Sequence, residues 1–200
     1  MSSKPRKHIR ISKDWAVVTL HTLFACLFFS CSQETTYEDA LQSNKTEIEE
    51  VERLDDAKFL VAEKSLNILQ RQLMQLASTS GYSSVVVDFG KASAKLFDDM
   101  GNDIDRLAKD ENIDVPTQMA SEHQALLSQI ENSSRGQFDR QLIFTLKEIS
   151  AGQERQYALK ASEASDPDIR AFAARKIGLI RTVDQAIRDV EKRLLPVESQ

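Results

Sequence analysis

Asp56-Ala-Lys-Phe-Leu-Val-Ala-Glu-Lys-Ser-Leu-Asn-Ile-Leu-Gln-Arg-Gln-Leu-Met-Gln-Leu-Ala-Ser-Thr-Ser-Gly81 is the stretch whose spacing decides the architecture. Phe59, Ala62, Leu66, Leu69, Leu73 and Leu76 recur at alternating steps of three and four, which places them on one side of an α-helix, and the Ser-Thr-Ser-Gly81 stretch closes it. The same rhythm continues downstream. Val85, Phe89, Ala92, Leu96, Met100, Ile104 and Leu107 predict a second helix that stops before Val115-Pro116. A third region carries Met119, Leu126, Leu127 and Ile130, breaks at Asn132-Ser-Ser-Arg-Gly136, and resumes with Phe138, Leu142, Leu146, Ile149 and Tyr157. Asp166-Pro167 is a cap followed by a first-turn proline, and it opens a last helix bearing Ile169, Phe172, Ile180, Val183, Ile187, Val190 and Leu194. None of these amphipathic helices can bury its apolar side alone. The expected fold is all-α: an antiparallel four-helix bundle with short connections over residues 55–195, followed by a tail at 196–200. The stripes are its core, and no repeat of solenoid length accompanies them.

Upstream the composition changes twice. Lys4, Arg6, Lys7, Arg10 and Lys13 precede an apolar run from Trp15 to Phe29. This is the charged region and hydrophobic region of an export signal, short for a membrane-spanning helix. The run ends at Phe28-Phe29-Ser30-Cys31, and the chain then turns polar at Ser32-Gln33-Glu34. That junction resembles a bacterial lipoprotein signal, in which the cysteine is acylated and becomes the new N-terminus. Leu23-Phe24-Ala25-Cys26 is a competing box, but cutting there would leave Leu27-Phe28-Phe29 at the start of the mature chain. Cys31 is therefore the expected lipidation site and Cys26 the alternative. Residues 1–30 read as the signal, and the acidic residues 31–54 as a lipidated terminus and tether. Within that tether, Thr46-Glu-Ile-Glu49 has the spacing of a capping box.

The 200 residues carry a formal net charge of −5, which conceals a split: +4 over residues 1–31 and −9 over the remainder. An acidic body repels phosphate backbones, so nucleic acid is not an expected partner. Both cysteines lie in the leader, so no disulfide can staple residues 32–200. His8 and His21 are also there, which leaves His123 as the sole imidazole of the body. A packing or partly exposed role is expected for it, because no Gly-x-Ser-x-Gly elbow exists to pair with it and structural zinc needs four Cys/His ligands. The isolated glycines exclude a Walker loop and a dinucleotide fingerprint. Asp98, Asp99 and Asp105 fall away from the Leu96-Met100-Ile104-Leu107 stripe, so the acidic run that includes Asp103 reads as a solvated face, and Lys109-Asp110-Glu111 as an exposed helix end.

Lys58-Phe-Leu60, Val87-Asp-Phe-Gly90, Leu107-Ala108 with Val115-Pro116, Glu122-His-Gln-Ala-Leu-Leu127, Gly136-Gln-Phe-Asp-Arg140 and Asp166-Pro-Asp-Ile-Arg-Ala-Phe-Ala-Ala174 occur in order. Together they resemble the bacterial family of predicted outer-membrane proteins known as domain-of-unknown-function family 4142. The resemblance implies a ferritin-like helical bundle, exported and without an agreed activity. Typical members carry histidines in the second, third and fourth helices, and those positions hold Phe97, Ser150 and Val183 here. The usual first-helix glutamate aligns with Gln72. The chain also lacks any Glu-x-x-His pair, so neither a metal nor another cofactor is expected. The expected function is that of a non-enzymatic, lipid-anchored envelope protein, at the outer membrane and facing the periplasm or the cell surface. Its bundle binds an envelope partner or plays a structural or stress role. The alternatives are a ferritin-like metal or redox protein using Glu63, Gln72, Glu148 and Glu154, or a carrier of an apolar ligand.

Overall fold

The computed structural model describes residues 34–194, which fold into six helices: α1 (Tyr37–Glu47), α2 (Val51–Ser80), α3 (Ser84–Asp110), α4 (Ser121–Glu131), α5 (Phe138–Glu163) and α6 (Pro167–Leu194). No strand occurs among the described residues, and no helix there is long and apolar enough to cross a membrane. Cys26, Cys31 and the tail at 196–200 lie outside them.

The four long helices α2, α3, α5 and α6 are those the apolar spacing announces, and their ends follow local chemistry. Gly81 receives the last turn of α2, its N–H bonding the Ala77 carbonyl at 3.1 Å. Helix α3 ends in a Schellman turn. Asn112 takes the left-handed φ of 54°, Ile113 N–H reaches back to the Ala108 carbonyl at 2.8 Å, and Asn112 N–H reaches Lys109 at 3.3 Å. At the start of α6, Asp166 Oδ1 accepts from the N–H groups of Asp168 (2.7 Å) and Ile169 (3.1 Å), with Pro167 in the first position where its missing N–H costs nothing.

Cross-helix pairs give the directions. Lys64 meets Asp105 and Arg71 meets Asp98, so α2 and α3 are antiparallel; Lys147 meets Glu191 and Glu154 meets Arg181, so α5 and α6 are too. Asp56 pairs with Lys160, and Asp139 takes the N–H groups of Tyr82 and Ser83, so α5 also runs against α2. Helices α3 and α5 therefore point the same way. The connection between them, residues 111–137, has to travel the length of the bundle, with α4 lying along its path. This corrects the expectation of short connections throughout: two successive helices of like direction need a crossover, and one such crossover is the connectivity of ferritin-like folds.

The acidic stretch expected to act as a tether is folded from Thr35 onward. Thr36 caps α1, accepting from Asp39 N–H at 3.1 Å while Asp39 Oδ2 accepts from Thr36 N–H at 3.4 Å. The capping box therefore lies here and not at Thr46–Glu49. Ala40 and Asn44, four residues apart, form the buried side of α1. Asn44 exchanges hydrogen bonds with the Asp114 backbone at 2.8 and 2.9 Å, and Thr117 N–H bonds the Thr35 carbonyl at 2.9 Å. Acidity misleads in this segment because its charges lie on the outer side of a docked helix.

The core has two apolar clusters, one around Leu69, Leu73, Phe97, Leu142 and Ile187, the other around Phe59, Leu60, Ile104, Tyr157 and Phe172. Between them on α2 lie Glu63 and Asn67, and on α5 Ser150 and Gln153, all buried.

Candidate functional site

Helix α1 folds back along α2 on one side and α5 flanks it on the other, leaving a cleft of about 660 Å³. Tyr37, Glu38, Leu41, Gln42 and Lys45 line it from α1; Leu54, Asp55, Lys58, Phe59, Ala62 and Glu63 from α2; Gln156 and Lys160 from α5. The lining is an apolar strip, Leu41, Leu54, Phe59 and Ala62, with charged groups at the rim and one carboxyl at depth.

That carboxyl is Glu63, 4% exposed. Gln153 Nε2 donates to its Oε2 at 2.9 Å, and Gln70 Nε2 donates to Gln153 Oε1 at 2.8 Å, so a chain of amides runs from α2 to α5 and back. Tyr157 Oη lies beside the same carboxyl, buried and without a hydrogen bond of good geometry. No described lysine or arginine pairs with Glu63. Burial outweighs the donated hydrogen bonds and lifts its pKa from 4.5 to about 7. Burial, and then the charge of Glu63, likewise holds the Tyr157 phenol well above its ordinary range.

Lys160 forms the far wall. Its ammonium bonds Asp55 and, at 3.0 Å, Asp56 Oδ1. Asp56 Oδ2 accepts from Ser165 Oγ at 2.8 Å and Asp166 N–H at 2.9 Å. Burial opposes ionisation of Asp56, but the bonds from Asp166, Ser165 and Lys160 prevail and keep its pKa below the usual carboxylate value.

Of the four polar residues considered as carboxylate-site candidates, only Glu63 faces inward. Gln72 and Glu148 are exposed, and Glu154 bonds Arg181 at 2.7 Å on the outside of the bundle. Phe97, Ser150 and Val183 are brought together around a pinhole of about 10 Å³ that Gln70 and Gln153 also line. Phe97 and Val183 offer no donor atom, so these positions do not supply a metal-ligand set. Asp98, Asp99, Asp103 and Asp105 form separate ion pairs with Arg71, Lys95, Lys176 and Lys64. Glu111, Asp166 and Asp168 bring carboxylates within 4.8 Å of one another, but Asp166 is already the cap of α6. His123 Nδ1 and Ser65 Oγ share a hydrogen bond of 2.7 Å, and that oxygen accepts from Ala120 N–H at 2.8 Å. The imidazole thus fastens the crossover to α2.

The amide–carboxyl chain is what reading the sequence missed. Its signal lay within the stripes themselves: Phe59, Glu63, Leu66, Gln70 and Leu73 share one helical face, as do Leu146, Ser150, Gln153, Tyr157 and Lys160.

No curated protein and no solved structure matches the chain significantly. The model of a domain of unknown function, DUF4142, matches residues 38–190, from the start of α1 nearly to the end of α6. The chain belongs to that family.

Proposed function

We propose that the chain is a non-enzymatic, lipid-anchored envelope protein whose bundle takes an apolar ligand into the cleft between α1, α2 and α5. The observation that carries this reading is the cleft itself: an apolar strip with a few convergent polar groups and one carboxyl of shifted pKa, the usual make-up of a small-molecule site. Its lining contains no serine, cysteine or histidine, so no Ser–His or Cys–His pair faces a ligand there. Lys160, one of the amines on its wall, is paired with two aspartates, Asp55 and Asp56.

The anchoring half of the proposal rests on Ser30-Cys31 and the polarity change after it. It places the body at the outer membrane, tied by acyl chains worth about 0.8 kcal/mol per buried CH₂.

Native mass spectrometry of the full-length protein from cells tests the ligand. The expected result is a bound small molecule, lost when Ala62→Trp fills the cleft. A protein that never carries such a mass, or that keeps it in Ala62→Trp, overturns the reading. Fractionation of Cys31→Ala tests the anchor: the protein should leave the membrane fraction, and retention there would overturn Cys31 as the lipidated residue.

A further inference from the structure

We infer that the ligand of this cleft is an organic ammonium, an apolar body ending in a protonated amine that pairs with Glu63. The inference rests on the cleft reading above and adds the chemistry of the head group. Glu63 sits at the deep end of the apolar strip, where the chain supplies it with neutral donors only. The buried lysines nearby are spent elsewhere: Lys160 on Asp55 and Asp56, Lys64 on Asp105. A carboxylate buried without a counter-cation is costly, and a ligand ammonium would remove that cost. Gln153 is already aimed at one oxygen, and the Tyr157 hydroxyl stands beside the carboxyl with no other partner, ready to donate a second bond. Tyr37 adds an aromatic ring to the lining, and the Phe59 ring already has the Lys160 ammonium over it at 5.9 Å.

Charge at the rim does not reverse the preference. Lys45 and Lys58 are exposed and form no ion pair among the described residues, so an anion held there would remain in water and gain little. The titratable groups that share the cleft with Glu63 are Tyr37, Glu38 and Lys45 from α1, Asp55 and Lys58 on its own helix, and Lys160 from α5, with Tyr157 of α5 beside the carboxyl. On the α3 and α6 side, the pinhole lining contributes only Leu96, Phe97, Met100, Leu179, Ile180 and Val183.

Binding should therefore release a proton. Below neutrality Glu63 carries its proton and the ligand arrives as R–NH₃⁺. In the complex the carboxyl is ionised against the ammonium, and the displaced proton leaves to solvent.

Hexylammonium, hexanol and hexanoate share one chain and differ only in head group, so calorimetry with the full-length protein in mild detergent separates the possibilities. Hexylammonium should bind at least tenfold more tightly than either other probe at pH 8. That advantage should vanish in Glu63→Gln, while hexanol binding is unchanged. At pH 6, titrations in two buffers of different protonation enthalpy should show close to one proton released per hexylammonium bound. This readout needs no variant and survives if Glu63→Gln fails to fold. Equal binding of all three probes would overturn the ammonium inference and leave the apolar-ligand reading standing. Tighter binding of hexanoate, an ammonium preference that persists in Glu63→Gln, an absence of proton release, or no binding of any probe would each overturn it. The copurifying-ligand measurement then judges the cleft on its own.

Discussion

Gln153 Nε2 donates to Glu63 Oε2 at 2.9 Å, joining α5 to α2 through a carboxyl that faces no cation of its own. A buried acid in that position couples protonation to folding. Its pKa of about 7 in the fold against an ordinary 4.5 means that the folded chain holds a proton which the unfolded chain has lost between those values. Stability contributed by the neutral carboxyl is whole below pH 4.5 and declines as the pH rises to 7, by about 3 kcal/mol for a shift of this size. Glu63→Gln should flatten that decline and leave the variant more stable than the wild type above pH 7. Urea denaturation across pH 5–8 measures both slopes; parallel curves would show that Glu63 is already ionised in the fold.

Asp56 works in the opposite direction. Its lowered pKa adds stability that is present above the unfolded value of about 3.9 and is lost as the pH falls through the folded one. Lys160→Ala leaves this 1% exposed carboxylate without its ammonium, and a cost of about 3 kcal/mol is expected at pH 7. Asp56→Asn should lose less in the Lys160→Ala background than alone. A double-mutant cycle in chemical denaturation checks the coupling, and additive effects would contradict it.

The Ser65 hydroxyl serves two partners at once, accepting from Ala120 N–H and sharing a hydrogen bond with His123 Nδ1. Ser65→Ala strands a buried N–H and should cost about 2 kcal/mol. Burial, the leading cause, lowers the His123 pKa, so its contribution is complete above pH 6.5 and falls away below it. In Ser65→Ala, hydrogen exchange should quicken first in the crossover; an unchanged pattern there would argue against the fastening role.

Gly90 marks where α3 presses on α2. A Cβ built on it would lie 2.7 Å from Ser78 N and 2.8 Å from both Ala77 Cβ and the Met74 carbonyl oxygen. Two of those neighbours are backbone, so the helices must part. Gly90→Ala should destabilise by about 2 kcal/mol despite alanine's better helix propensity. Gly178→Ala, with nothing within 4 Å, is the control and should be neutral or stabilising. Thermal melts of the two variants compare them directly.

Helix identity was legible because Leu69, Leu73, Ile104, Leu146 and Ile187 announce a 3.6-residue period that no turn chemistry contradicts. The crossover was not, since periodicity tells which face of a helix is buried but not its direction; that took the Asp56–Lys160 pair at one end and Asp139 on Tyr82 and Ser83 at the other. Helix α1 was hidden by composition, its two buried residues, Ala40 and Asn44, being small or polar. The cleft was partly in view. Glu63 stood among the candidates, but Gln70 and Gln153, polar residues at core positions, became meaningful only once α2 and α5 were seen to face each other.

The like direction of α3 and α5 has one more consequence. It divides the body into two hairpins, α2–α3 and α5–α6, joined through the crossover of residues 111–137. Each hairpin closes through contacts near in sequence, so each can form early, and assembly then becomes recognition of one half by the other. Leucines alone would tolerate a slip of one helical turn between the halves. Asp56 with Lys160 at one end, Glu63 and Gln70 with Gln153 in the middle, and the Asp139 carboxylate on Tyr82 and Ser83 at the other form a three-point key that fits in one register.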